Sequence, residues 1–128
     1  MQSMRIYVAG PYSGDSLEEM EANVQRAIDA GIHIWKKGHF PFIPHLLHWV
    51  DIRAAELSIP MGWEDYMLWD APWLDDCDAL FLLGESKGAL IELERAKEEG
   101  KTIFYSLSAI PAVKHASTWA DPYITDSQ

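Results

Sequence analysis

The chain has 128 residues, a length that gives one domain with one core and buries roughly two-thirds of the unfolded surface without staples. It is 48% hydrophobic with six Trp, which excludes a disordered chain, and its formal net charge of −10 argues against wrapping a nucleic-acid polymer, where binding would add repulsion instead of releasing counterions. Cys77 is the only cysteine and no apolar run approaches the ~18–20 residues of a membrane span, so the expectation is a soluble cytoplasmic protein with no internal disulfide and no membrane partner.

The elements follow in chain order. Met4–Gly10 is a short β-branched and aromatic run that ends at Gly10-Pro11, the pattern of a buried strand with a turn behind it. Ser16-Leu17-Glu18-Glu19 has the form of a capping box, and Leu17, Met20, Val24, Ala27, Ile28 and Ile34 then recur at helical spacing. Lys36 and Lys37 supply a cationic last turn and Gly38 a left-handed stop. "HFPFIPH" reads as an edge strand or the mouth of a loop, because Pro41 and Pro44 hold Phe40 and Ile43 out of the helical region.

"LLHWVDIRAAEL" predicts a helix of about three turns, broken by "SIPMG". "WEDYMLWDAPWLDD" predicts a further helix, kinked at Pro72, which has no N–H for the carbonyl of Leu68. "CDALFLL" is a continuous apolar strand, buried on both faces. "SKGALIELERAKEEGK" is a helix, and "KTIFYSL" another buried strand. The tail from residue 106 onward has no clear period, and either docks or is partly irregular. Strands alternating with helices predict an α/β fold, a parallel sheet with helices on both faces, in a single domain spanning residues 1–128. Ligands of such sheets bind beyond the carboxyl ends of the strands, where the strand order reverses. The loops there are Gly10–Ser16, Pro44–His48 and Gly84–Gly88, with Asp70 and Glu92 at the same rim.

Several groups are candidates for chemistry. "AGPYSGDS" joins a strand to a helix, but it is neither G-x-G-x-x-G nor a Walker loop, so it reads as a plain turn or as a close-approach ligand loop. "GESKG" offers free N–H groups and the Ser86 hydroxyl, and is either an ordinary N-cap or an anion or hydroxyl site. Glu92 flanks the apolar stripe Ala89, Leu93, Ala96 of its helix, unlike Glu94 and Glu98 on the charged face. Asp70 lies among Trp69, Trp73 and Tyr66, an apolar setting able to raise a carboxyl pKa. The five histidines raise a metal reading, with His45, His48 and Asp51 spaced for one helical face, but no H-E-x-x-H and no Cys supports it. His45 is also a candidate contact to a base or sugar. Ile91 sits on the charged side of its helix, which points to a second buried surface such as a subunit contact.

In order, "RIYVAGPYSGD", "WEDYMLWD", "CDALFLL" and "SKGALIELERAKEEGKTI" resemble the nucleoside 2-deoxyribosyltransferase superfamily over residues 4–105. The likeness is greatest to its small 2'-deoxynucleoside 5'-phosphate N-hydrolase branch and to uncharacterised bacterial and phage relatives. The resemblance implies a flavodoxin-like or Rossmann-like fold, homodimers or larger homo-oligomers, and cleavage of the bond between a nucleobase and a (deoxy)ribose. It implies Glu92 as nucleophile, Asp70 as the second acid and Tyr7 as a strand tyrosine near the glutamate. It also implies Gly10, Tyr12, Ser13 and Gly14 as the first ligand loop, with Ser86 and Gly88 at the 5' end of the nucleotide.

On this resemblance the expected function is hydrolysis of a small (deoxy)nucleoside or nucleoside 5'-monophosphate through a covalent sugar-Glu92 intermediate, with no metal or other cofactor required. Base exchange through the same intermediate, or nucleotide binding without turnover, are the alternatives. Two features depart from the family pattern. Ser13 stands where the nucleotide hydrolases often carry a cation, which leaves Lys87 as the candidate replacement, and the C-terminus is shorter than in many transferases.

Overall fold

The computed structural model describes residues 2–117 and 119. Four parallel strands form the sheet: β1 (Arg5–Ala9), β2 (Phe40–Phe42), β3 (Ala79–Leu82) and β4 (Thr102–Phe104), in the order β2-β1-β3-β4. Four helices accompany them: α1 (Leu17–Lys36), α2 (Leu47–Glu56), α3 (Trp63–Asp76) and α4 (Lys87–Glu98). Single 3-10 turns cover Pro44–Leu46 and Leu107–Ala109. This is the expected flavodoxin-like or Rossmann-like architecture, with its switch in strand order at β1.

The two faces of β1 explain the two cores. Ile6 and Val8 point to the side covered by Ala27, Ala30 and Ile34 of α1, where Phe81 and Ile110 join them. Tyr7 and Ala9 point to the other side, against Leu74 of α3 and Ala89, Leu93 and Ala96 of α4. The register Tyr7↔Leu80 and Val8↔Phe81 keeps like faces together across β1 and β3, as the period-2 alternation of strands requires.

Local signals set the element ends. Ser16 Oγ accepts from Glu19 N at 3.1 Å, and Glu19 Oε2 reaches Asp15 N at 3.3 Å, so the box closes one residue outside the cap. Gly38 ends α1 at φ +96°, the left-handed conformation expected of it. Asp65 Oδ2 accepts from Gly62 N at 2.8 Å and caps α3. The helical run of α3 is unbroken across Pro72.

Two expectations are corrected. The last strand is shorter than "KTIFYSL" and is an edge strand with Thr102 exposed, because nothing pairs with its far side among the described residues. Trp69 and Trp73 are 43% and 53% exposed, so they do not enclose Asp70. Of the two readings of the tail, docking holds for residues 107–117: Ile110 is buried, Val113 N bonds Lys37 O at 2.7 Å, and Ala116 N bonds Ser3 Oγ at 2.9 Å. His39 ties this strap to the start of β1, accepting from Met4 N at 3.0 Å and donating from Nε2 to Pro111 O at 2.7 Å. The expectation for the rest of the tail lies outside the described residues.

Candidate active site

A pocket of about 300 Å³ opens where the loops after β1 and β3 meet α2 and α3. Its apolar wall includes Met20, Leu47, Met61 and Met67. Its polar wall holds three carboxylates, Asp51, Asp70 and Glu92, and among the described residues lining it there is no Lys or Arg.

Three side chains meet at the floor. Tyr7, wholly buried in the central strand, donates its hydroxyl proton to Glu92 Oε2 across the β1–α4 interface. Glu92 is half-buried on the flank of α4, as its offset from Ala89, Leu93 and Ala96 predicts. Asp70, on α3, is 8% exposed, and its Oδ1 is buried with no hydrogen-bond partner. Burial lifts the Glu92 carboxyl to about 7 against the pull of the Tyr7 bond, and the nearby Asp70 charge adds to the rise. Burial likewise lifts Asp70 to about 7, again opposed by the Tyr7 hydroxyl. The Tyr7 phenol itself is pushed far up, first by burial and then by Glu92 and Asp70, so it stays a proton donor.

The loop after β1 is held rigidly over this floor. Asn23, buried on α1, donates to the carbonyls of Tyr12 and Ser13 at 3.0 and 3.3 Å. His45 Nε2 lies 3.1 and 3.2 Å from the carbonyls of Gly10 and Pro11, so that nitrogen carries the proton. Nδ1 is then a lone-pair acceptor, buried and unpartnered. Burial lowers the His45 pKa, against the pull of the two carbonyls, which favours the neutral ring.

Of the loop residues, Tyr12 and Ser13 line the pocket while Gly10 and Gly14 serve the backbone. A Cβ on Gly10 would come within 3.1 Å of Leu83 Cβ, and one on Gly14 within 2.7 Å of Glu19 Cγ. At the other rim, Ser86 Oγ caps α4 by accepting from Ala89 N at 3.1 Å, and Ser86 and Gly88 line the pocket. Lys87 is not among the lining residues; its Nζ lies 4.5 Å from the ring centroid of Trp63, which does line the pocket.

The histidines take individual partners. His45 serves the first loop, His48 Nδ1 lies 2.7 Å from Tyr12 Oη, and Asp51 Oδ1 accepts from Tyr66 Oη at 2.7 Å. No group of three metal-ligating side chains exists among the described residues. Asn23 carries no motif, and its only signal is a polar residue on the buried stripe of α1. The Tyr66 hydroxyl is signalled only by its place four residues before Asp70, one turn away on the same helix face.

The fold is an α/β parallel sheet with helices on both faces, and the pocket with Asp70 and Glu92 lies at its switch point. The chain belongs to the family described as "Domain of unknown function (DUF7768)", whose model matches residues 4–106. No curated protein matches it.

Proposed function

We propose that the protein is an N-glycosidase acting on a small nucleoside, with Glu92 as nucleophile. The observation that carries this reading is the pair of carboxyls that line one pocket, buried Asp70 and half-buried Glu92, with the Tyr7 hydroxyl donating to Glu92; burial raises both to about 7. Near neutral pH such a pair holds one proton between them, so one member is an acid while the other is a nucleophile. Glu92, held by the Tyr7 hydroxyl, attacks C1' as the C1'–N bond breaks. The bonding pair leaves with the base, which takes the Asp70 proton. Water then attacks C1', Asp70 accepts its proton, and the Glu92–sugar ester is released.

The lining supports the unphosphorylated nucleoside over the 5'-monophosphate, since a phosphate would find no Lys or Arg among the described lining residues. The homo-oligomer implied by the resemblance is supported by exposed apolar side chains on the adjoining helices: Leu68 and Trp73 on α3, Leu90 and Ile91 on α4.

The test is base release, followed by chromatography, over a panel of nucleosides and their 5'-monophosphates. Wild type is expected to release base, with nucleosides favoured, and Glu92→Gln to lose at least about a thousandfold in rate. Equal rates for Glu92→Gln and wild type would sink the nucleophile assignment. Adding a second free base to the same assay reads base exchange, which would yield a new nucleoside.

A further inference from the structure

The pocket has a second polar end that the acid pair does not use. Tyr12 Oη lies 2.7 Å from His48 Nδ1, and Tyr66 Oη donates to Asp51 Oδ1 at 2.7 Å. These four side chains come from the loop after β1, from α2 and from α3, and all of them line the pocket. His48 and Asp51, three residues apart on α2, share a helix face, and His48 is only 3% exposed. Tyr66 stands four residues before Asp70 on α3, so its backbone lies about 6 Å, just over one turn, along the helix from that of Asp70. That offset is on the scale of a nucleobase ring.

The chemistry of this end is biased toward acceptance. Asp51 is an acceptor, and among the described residues only its Oδ1 is used, by Tyr66. Each phenol oxygen keeps a lone pair for a further donor. Burial and the Asp51 charge both hold the Tyr12 phenol in its neutral form. An anionic group here would face Asp51 with no cation among the described lining residues, whereas an N–H donor would meet a carboxylate oxygen and two phenols.

We propose that Tyr12, His48, Asp51 and Tyr66 form a recognition subsite for an uncharged or cationic hydrogen-bond-donating group of the ligand. On the nucleoside N-glycosidase reading, on which this assignment of the group rests, it is the exocyclic amino group of the base. A sugar held at Glu92 then directs the far edge of the base to Asp51, and bases with a carbonyl at that edge are disfavoured because two acceptors would face each other.

The test is calorimetric titration of the full chain with two matched pairs, 2'-deoxycytidine against 2'-deoxyuridine and 2'-deoxyadenosine against 2'-deoxyinosine. Base release is followed by chromatography on the same samples. In at least one pair the amino member is expected to bind at least about tenfold more tightly, and Asp51→Asn to cut that preference below about threefold. The dimethylamino derivative of the preferred nucleoside, which lacks the donor, is expected to lose the same factor on wild type, a readout that does not depend on any variant folding. Equal affinities within both pairs, no binding of any of the four, or a preference that survives both Asp51→Asn and dimethylation would overturn the subsite. Discrimination without base release would overturn the glycosidase reading and leave the subsite standing, and release without discrimination would do the reverse.

Discussion

On the proposed reading, Glu92, Asp70 and Tyr7 are three ordinary side chains made reactive by where they sit. Each is unremarkable in an exposed helix or strand, and burial against one another is what moves both carboxyls to about 7. The rate of base release is therefore expected to pass through a maximum near neutral pH. It falls on the acid side as Glu92 takes up its proton and on the alkaline side as the pair loses its last one, so a flat kcat/KM profile from pH 5 to 9 would contradict the shared-proton scheme. Tyr7→Phe removes the bond that pulls Glu92 down, so the acid limb is expected to move to higher pH. The same shifts set stability. Asp70 ionises near 3.8 when unfolded and near about 7 when folded, so between those values the native state binds more protons and stability falls as pH rises. Asp70→Asn removes this term: urea unfolding at pH 8 is expected to show a gain of up to about 4 kcal/mol, which shrinks toward zero at pH 4. The candidate acids could be singled out in the sequence, Glu92 by its offset from the stripe Ala89, Leu93 and Ala96. The cause assigned to Asp70 could not, because the neighbouring Trp residues point outward and its burial comes from the pocket wall.

At the scale of elements, the ends of strands and helices do most of the positioning. Asn23 and His45 tie the loop after β1 from two directions, through the carbonyls of Gly10, Pro11, Tyr12 and Ser13. Neither contact is written in a local pattern, since Asn23 and His45 lie 10–11 and 34–35 residues from their partners. Gly38 is the opposite case, readable from its place after Lys36-Lys37. It ends α1 in the left-handed region, and a Cβ there would sit 1.9 Å from Val113 O, where the strap of residues 107–117 crosses. Gly38→Ala is expected to cost at least about 2 kcal/mol, from the combined φ strain and clash, seen as a lower midpoint in urea with unchanged slope. An effect below about 0.5 kcal/mol would mean that the strap gives way at no cost.

For the whole molecule, the strand order β2-β1-β3-β4 decides what the site contains, because it sets the loops after β1 and β3 side by side at the switch point. The other whole-molecule feature is apolar surface left uncovered: Leu68 is 76% exposed, Trp73 53% and Ile91 45%. A second copy of the chain is expected to cover α3 and α4. Sedimentation at micromolar concentration should then report a dimer or larger species, and Leu68→Glu with Ile91→Glu should shift it toward monomer, whereas a monomeric wild type would rule the contact out. Among the described residues no helix is long and apolar enough to cross a membrane. The sequence alone determined the alternation of strands and helices, the caps at Ser16 and Ser86 and the stop at Gly38, because each depends on residues within a few positions of one another. Only the tertiary structure decided that Tyr7 meets Glu92, that His48 and Asp51 pair with Tyr12 and Tyr66, and that Lys87 faces Trp63. Those pairings join groups far apart in the chain, and which partner wins is set by how strands and helices pack, which no local pattern encodes.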